Sequence, residues 1–391
     1  MIDRTKGLAA ELHPELVGVR RHLHAHPELS FEEKDTAVWI TGRLKAMGIE
    51  VREGIAGTGV IGLLRGKSGD RVIALRADMD ALAISEANTF GHRSVNAGVM
   101  HACGHDAHMS CVLGAARILS RLKEEWSGTV LLVFQPGEEK IPGGASLLLK
   151  EGALKAPAPR AIIGQHVTPE LEVGKVGFRE GAFMASSDEL YVTVKGKGGH
   201  AAQPEKLIDP IVISAHLLLK LKEEFAALRS AEPKLLAFGR VIAEGATNVV
   251  PDEVHIAGTL RAFDESIREE LHAWLPKRAN EICSQFGGSC DFEVRKGYPV
   301  LVNDIELTRR LKAAAIQYLG AANVVDMDRR MGSEDFSFYT HAMPGCFYRL
   351  GTGAPGQPLR GLHTPTFDID EDALRIGSGL MAWEAINELM P

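Results

Sequence analysis

Two regimes of apolar spacing divide this chain. Over about the first 180 residues, short unbroken apolar runs stand apart from longer stretches spaced for helices. Val72-Ile73-Ala74-Leu75, the run from Thr129 to Phe134, and Ala161-Ile162-Ile163-Gly164 lack polar alternation, the mark of strands covered on both faces of a parallel sheet. Between them Met109, Val112, Leu113, Ala116 and Leu119 recur at helical spacing, which predicts a helix starting near His105 and Asp106. Such alternation predicts an α/β body, a mostly parallel sheet flanked by helices. From about Gly181 the pattern changes to strand 188–195, helix 207–227, strands 234–243 and 253–263, helix 266–286 and strand 289–296. That order, β-α-β-β-α-β, predicts a ferredoxin-like α+β layer, with Pro276 expected to kink or break its second helix. After Gly297 the signals return to helix 307–319, strand 346–350 and an amphipathic helix over 371–389. The expected organisation is a discontinuous domain, 1–181 and 297–391, interrupted by an inserted domain, 182–296.

Length agrees with two bodies, since 391 residues exceed what one hydrophobic core usually serves. The formal charge of -7 and the scatter of Lys and Arg leave no basic field for phosphate backbones, so nucleic acid is not an expected partner. No stretch approaches the roughly 20 apolar residues that span a bilayer, and the opening Met1-Ile2-Asp3-Arg4-Thr5-Lys6 lacks the apolar core of a signal peptide. A cytoplasmic protein with no membrane partner is expected. Five cysteines at irregular spacing do not form a disulfide framework and fit a reducing compartment.

Three of the apolar runs lead directly into chemistry. Arg76-Ala77-Asp78-Met79-Asp80 follows the first, Gln135-Pro136-Gly137-Glu138-Glu139 the second, and Gln165-His166 the third. Open α/β sheets build their sites at the carboxyl ends of strands. Cys103 and His105 lie in Met100-His101-Ala102-Cys103-Gly104-His105-Asp106-Ala107-His108, at the predicted helix start. With Glu139 and His166 they make a mixed sulfur, nitrogen and oxygen set suited to a divalent metal. A cysteine nucleophile based on His101 or His105 is the rival chemistry, but it leaves Glu138, Glu139 and His166 unused. Adjacent carboxylates beyond a strand point in different directions, so one can ligate while the other accepts a proton. A metal with an open position makes hydroxide from water near neutral pH, so the expected reaction is hydrolytic. His200, in a glycine turn, and His363, in Gly361-Leu362-His363-Thr364-Pro365, read by themselves as solvated loop residues, and His22, His24 and His26 as packing residues.

In combination these motifs resemble the dinuclear metallohydrolases that include aminoacylases, glutamate carboxypeptidases and peptidase T. They resemble most closely the amidohydrolase branch of hippurate hydrolases, N-acetyldiaminopimelate deacetylases and plant auxin-conjugate hydrolases. The marks run nearly end to end: Arg20-Arg21 with His26-Pro27-Glu28, Arg76 to Leu82, Met100 to Met109 and Gln135 to Glu139. They continue in Gly198-Gly199-His200-Ala201-Ala202, Thr247-Asn248-Val249-Val250-Pro251, Gly332-Ser333-Glu334-Asp335-Phe336 and Leu362-His363-Thr364-Pro365. The resemblance implies two divalent ions per subunit, bridged by Cys103, one completed by Glu139 and His363, the other by His105 and His166. Glu138 would be the base that takes a proton from the attacking water and hands it to the leaving amine, and His200 the donor to the oxyanion. Arg76 stands where the wider family has a histidine ligand, and Cys103 where it has a bridging aspartate. Both departures belong to the amidohydrolase branch, and they leave Mn, Zn, Ni and Co all arguable. The implied substrate is an N-acyl amino acid, its carboxylate held by Asn248 and Arg261. The implied assembly is a homodimer through the inserted lid domain, His200 reaching the neighbouring subunit. A dipeptidase or carboxypeptidase-type peptidase is the alternative, as is a non-catalytic metal-binding homologue, against which the intact Glu138 and His200 argue.

Overall fold

The apolar runs become the middle of one large sheet in the computed structural model, which describes residues 1–390. Helices α1 (Ile2–Ala25) and α2 (Lys34–Ala46) lead into strands β1 (Glu50–Ile55), β2 (Gly59–Arg65) and β3 (Lys67–Asp78), then α3 (His105–Arg121), β4 (Ser127–Gln135), α4 (Gly144–Lys150), β5 (Ala161–Glu172), β6 (Val176–Phe178) and β7 (Gly181–Met184). The chain continues through β8 (Asp188–Lys195), β9 (Gly199–His200), α5 (Pro210–Ala227), β10 (Lys234–Ile242), β11 (Val249–Val250), β12 (Glu253–Ala262), α6 (Glu265–Ser284) and β13 (Ser289–Lys296). It closes with β14 (Leu301–Asn303), α7 (Ile305–Leu319), β15 (Val324–Asp326), α8 (Ser337–Ala342), β16 (Gly345–Gly353) and α9 (Asp372–Leu389). Two compact units result. The first holds Met1–Phe183, Val302–Asp328 and the chain from Asp335 on, and the second holds Met184–Leu301 and Arg329–Glu334.

The first unit carries an eight-stranded sheet in the order β1-β2-β4-β3-β5-β16-β6-β15. Its centre is parallel, β4 with β3, β3 with β5 and β5 with β16, while β1, β2 and the β6–β16 pair are antiparallel. Val130–Phe134 and Ile73–Leu75 are buried on both faces, as their unbroken apolar composition predicts. The strand at Ala161 does not stop near Gly164. It leaves β3 there, where Arg76 pairs with Gly164, and runs on beside β16, with Thr168 opposite Gly351. His166 therefore sits within a strand, level with the end of β3.

Helices α1, α3 and α9 pack on one another, and α3 and α9 lie against β3. Gly114 permits the α3–α9 approach, since a Cβ there would stand 2.6 Å from the Ser378 Cβ. The expected amphipathic character of α9 is not observed. Nearly every residue of it is buried, because α1, α3, α7 and the sheet cover it from several sides.

The second unit is an antiparallel sheet in the order β10-β12-β8-β13, with α5 and α6 packed together over a separate core of Leu190, Val192, Leu217, Leu221, Leu275 and Ile282. This is the ferredoxin-like arrangement. Asp209 caps α5 by accepting from the Ile211 and Val212 amides, and Pro210 occupies its first turn; Asp264 caps α6 in the same way. Pro276 does not break α6, which runs unbroken because Leu271, Leu275, Ala279 and Ile282 on both sides of the proline bury the same face. Among the described residues, no helix is long and apolar enough to cross a membrane.

Candidate metal centre

The rim of the central strands gathers the chemistry of the first unit. Asp78 ends β3, and the loop after β4 supplies Glu138 and Glu139. Cys103 precedes α3 and His105 opens it, His166 comes from β5, and His363 from the loop between β16 and α9. Gly104, between Cys103 and His105, has φ +83°, and a Cβ there would stand 2.3 Å from Val167 Cγ2, so only glycine fits the turn into α3. His363 is also held at positive φ, 59°, with its amide donating to the Ala102 carbonyl at 2.8 Å.

Cys103 sits between two histidines. Its Sγ lies 3.4 Å from His166 Nε2 and 3.3 Å from His363 Nε2. His363 Nε2 is 3.2 Å from Glu139 Oε1, and His105 Nε2 is 3.9 Å from that same oxygen and 4.0 Å from Glu138 Oε2. Ligand atoms of Cys103, His105 and His166 fall within 4.8 Å of one another, as do those of Cys103, Glu139 and His363, so Cys103 is common to both groups.

Hydrogen bonds orient these ligand atoms. His105 gives its Nδ1 proton to the Asp80 carbonyl at 2.8 Å, and His166 gives its own to the Val167 carbonyl at 2.7 Å, which turns both Nε2 atoms toward the cluster. His105 Nε2 is buried and has no hydrogen-bond partner, nor has Glu139 Oε1, whose approach to His363 lacks hydrogen-bond geometry. Orphaned atoms converging at 3 to 4 Å fit a divalent cation of intermediate softness, for which thiolate, imidazole and carboxylate are ordinary ligands.

Electrostatics agree with that fit. Burial opposes charge on His105, yet Asp78, then Cys103, raise its pKa well above the ordinary value. Contacts to Cys103 and Glu139 push His363 up to about 10. Burial and then the Glu139 charge push the Cys103 thiol up. In the chain alone this cluster retains protons, and a metal takes their place when it binds. His166 is the exception: burial, then the Arg349 charge, hold it well below its usual value, so its Nε2 lone pair is available.

Supports around the cluster were not identifiable from the sequence alone. His108 Nδ1 donates to Asp78 Oδ1 at 2.6 Å while its Nε2 accepts the Val167 amide at 2.9 Å, tying the end of β3 to the residue after His166. Arg76 donates to Asp78 at 2.7 Å, Asp335 at 2.8 Å and Gln135 at 3.0 Å, a buried cation balanced by two carboxylates. The acid pair after a buried strand, Asp78 and Asp80, marks the place in the sequence but not the partners these residues take. His24 is buried against Asp106 and Glu86, and His22 stacks on Trp39.

The remaining singled-out residues belong to the second unit. His200 is exposed on β9, its Nδ1 accepting the Ala202 amide at 3.2 Å, and Asn248, also exposed, accepts the Ala201 amide through its carbonyl. Arg261, on β12, is half-buried and donates to the Ser333 hydroxyl at 2.7 Å; burial holds its pKa below the ordinary value.

The profile of peptidase family M20/M25/M40 matches residues 74–383. IAA-amino acid hydrolase ILR1-like 4 of Arabidopsis thaliana is 39% identical over 386 residues, 96% of this chain and 86% of that one. N-acetylcysteine deacetylase of Bacillus subtilis is 36% identical over 376 residues, 96% of this chain and 97% of that one. Among solved structures, the YXEP protein of Bacillus subtilis, described as a dinuclear metal binding peptidase from the M20 family, superposes with a TM-score of 0.84 at 34% identity, covering 97% of this chain and 99% of that one.

Proposed function

The chain belongs to peptidase family M20/M25/M40 and is a metal-dependent amidohydrolase, and from that membership we propose that it cleaves the amide bond of N-acyl amino acids. The observation that carries the site assignment is the sharing of Cys103 by two ligand groups with Glu138 beside them. In this reading Cys103 with Glu139 and His363 would hold one divalent ion, and Cys103 with His105 and His166 a second. When bound, such a pair acidifies water and polarises the carbonyl under attack.

The chain's own residues do the rest. Glu138, 6% exposed at the rim, accepts the proton of the attacking water and returns it to the amine as the bond breaks, one carboxylate serving as base and then acid. His200 donates to the oxyanion: because its Nδ1 accepts an amide, the proton of the neutral ring sits on Nε2. Arg261, which donates to the neutral Ser333 hydroxyl, is the cation for the substrate carboxylate, and Asn248 is the second contact. The acyl half follows the relatives, whose names specify IAA-amino acids and N-acetylcysteine. The second unit is read as the lid and the dimer contact: α5 exposes Ile211, Val212 and Leu219, and the edge strand β10 exposes Val241, apolar surface that a second copy would cover. Five free cysteines, all buried, support a reducing cytoplasmic setting.

Metal-stripped protein refilled separately with Mn, Zn, Ni or Co, then offered N-acetyl, N-benzoyl and indole-acetyl amino acids beside dipeptides, tests this. Hydrolysis of N-acyl substrates over dipeptides is expected. Cleavage of dipeptides alone would make the protein a peptidase, and no dependence on any of the metals would remove the reading altogether.

A further inference from the structure

Glu138 and Glu139 lie on a loop, and loops hold side chains less firmly than strands do. This loop is an exception, because three successive amides are gripped by buried carboxylates. The Gly137 amide donates to Glu33 Oε1 at 2.8 Å, the Glu138 amide to Asp80 Oδ1 at 3.0 Å, and the Glu139 amide to Asp80 Oδ2 at 3.0 Å. Asp80 Oδ2 also takes the Ser30 hydroxyl at 2.6 Å, and the Asp80 backbone carbonyl takes His105 Nδ1 at 2.8 Å. Asp80 is 1% exposed.

Asp80, two residues past the end of β3, therefore touches three members of the cluster at once. Both carboxylate oxygens are occupied by N–H and O–H donors, so Asp80 is not placed to ligate. Charge-assisted bonds of this kind are stronger and more directional than neutral ones, and fixing two adjacent amides leaves the intervening peptide plane little freedom. The Glu138 and Glu139 side chains then leave the backbone in set directions. The carbonyl contact independently fixes which His105 nitrogen faces the cluster.

We propose that Asp80 is the positioning residue of this site, a clamp whose carboxylate holds the Glu138–Glu139 backbone in register with His105. The inference rests on the reading of Glu138 as base and of Glu139 and His105 as ligands, and deepens it by naming what sets their geometry. Ser30 and Glu33 assist from the chain before α2, Ser30 on Asp80 itself and Glu33 on the preceding amide.

The test compares wild type, Asp80→Asn and Ser30→Ala. Asp80→Asn keeps size and one acceptor oxygen but turns an NH2 toward an amide that donates. Each protein is stripped of metal, its thermal midpoint recorded, cobalt(II) binding followed by calorimetry and by the visible spectrum, and kcat and KM measured after refilling. For Asp80→Asn, cobalt affinity or kcat falls about 10- to 100-fold with an altered cobalt spectrum, while KM and the metal-free midpoint stay close to wild type. Ser30→Ala, which frees only one side of Oδ2, shifts the same quantities in the same direction by less. Wild-type cobalt affinity, spectrum and kcat in Asp80→Asn would overturn the clamp, as would a loss that only tracks the unfolded fraction. If Asp80→Asn does not fold, Ser30→Ala decides: a wild-type spectrum and turnover would overturn the clamp. If wild type itself binds no cobalt, the site reading fails, and the clamp with it, for a reason independent of either variant.

Discussion

Two buried polar clusters, one in each unit, handle charge in opposite ways. In the second unit Asp188 accepts Arg268 Nε at 2.9 Å and Nη2 at 2.6 Å, His272 Nε2 at 2.8 Å and the Gly297 amide at 3.2 Å. Every lone pair of that carboxylate has a donor, so the carboxylate has nothing left to bind, although His272 Nδ1 behind it is buried without a partner. At the sheet rim of the first unit the polar atoms face one another instead, with His105 Nε2 and Glu139 Oε1 buried and unbonded. Evolutionary purpose is not needed to tell them apart. A carboxylate with every lone pair filled lowers the energy of the fold by itself, whereas orphaned atoms that converge do so only when something with positive charge joins them. What separates a site from a brace is that its unbonded atoms converge, since a lone orphaned nitrogen, His272 Nδ1, occurs in the brace as well.

The largest effect that sharpens this contrast is on rate. Glu138→Gln keeps shape and burial but cannot take a proton, so turnover is expected to fall about 100- to 10,000-fold with metal content unchanged. Elemental analysis alongside the assay checks it, and near-normal turnover with both metals bound would transfer the base role elsewhere. The next effect is on stability. Asp188→Ala leaves Nε of the buried Arg268 and Nε2 of His272 facing an uncharged methyl group, with Glu265 the one carboxylate still on Arg268 among the described residues, and removing one partner of a buried pair costs about 3 to 5 kcal/mol. Denaturant unfolding, with hydrogen exchange over β8 and α6, would register the loss in the second unit. Cys103→Ala should behave in the opposite sense: the metal-free protein changes by no more than about 1 kcal/mol, while metal binding collapses. Equal destabilisation by the two substitutions would erase the distinction between brace and site.

How much of this was written in the sequence depends on the range of the interaction. The strands at Val72, Thr129 and Ala161 were legible because burial on both faces demands unbroken apolar runs, and the order of the inserted layer because its strand and helix periods alternate cleanly. Cys103, His105, Glu138, Glu139 and His166 could be singled out by residue type and position, His363 only by the family resemblance, and the fold brings all six together. Their supports could not. The reach from Asp80 to the Glu138 and Glu139 amides spans 58 and 59 positions, and that from His108 to Val167 another 59. Such pairings exist only once the sheet order is set. The same limit misjudged α9 and α6. A pattern on one helix does not reveal how many neighbours will cover it, so α9 read as amphipathic, and it does not weigh packing against a single missing amide, so Pro276 read as a kink or a break, of which the break is not found.

The smallest effect concerns acid. Burial alone would raise the Asp188 carboxyl, but hydrogen bonds from His272 and Arg268, with the Arg268 charge, hold it down to about 2, against an ordinary 3.8. A depressed folded pKa means the folded state binds the proton less readily than the unfolded chain, so stability falls as pH falls. The contribution is whole above about pH 4 and drains away as pH drops through about 2, in total roughly 2 kcal/mol. Exchange of β8 and α6 amides followed from pH 5 to pH 2.5 should therefore accelerate in the wild type beyond the intrinsic chemical dependence. Asp188→Asn starts less stable and lacks this component of the slope, since an amide has no proton to gain. Parallel slopes in the two proteins would mean that Asp188 is protonated with the unfolded chain's ease, and its four donors would then describe geometry without energy.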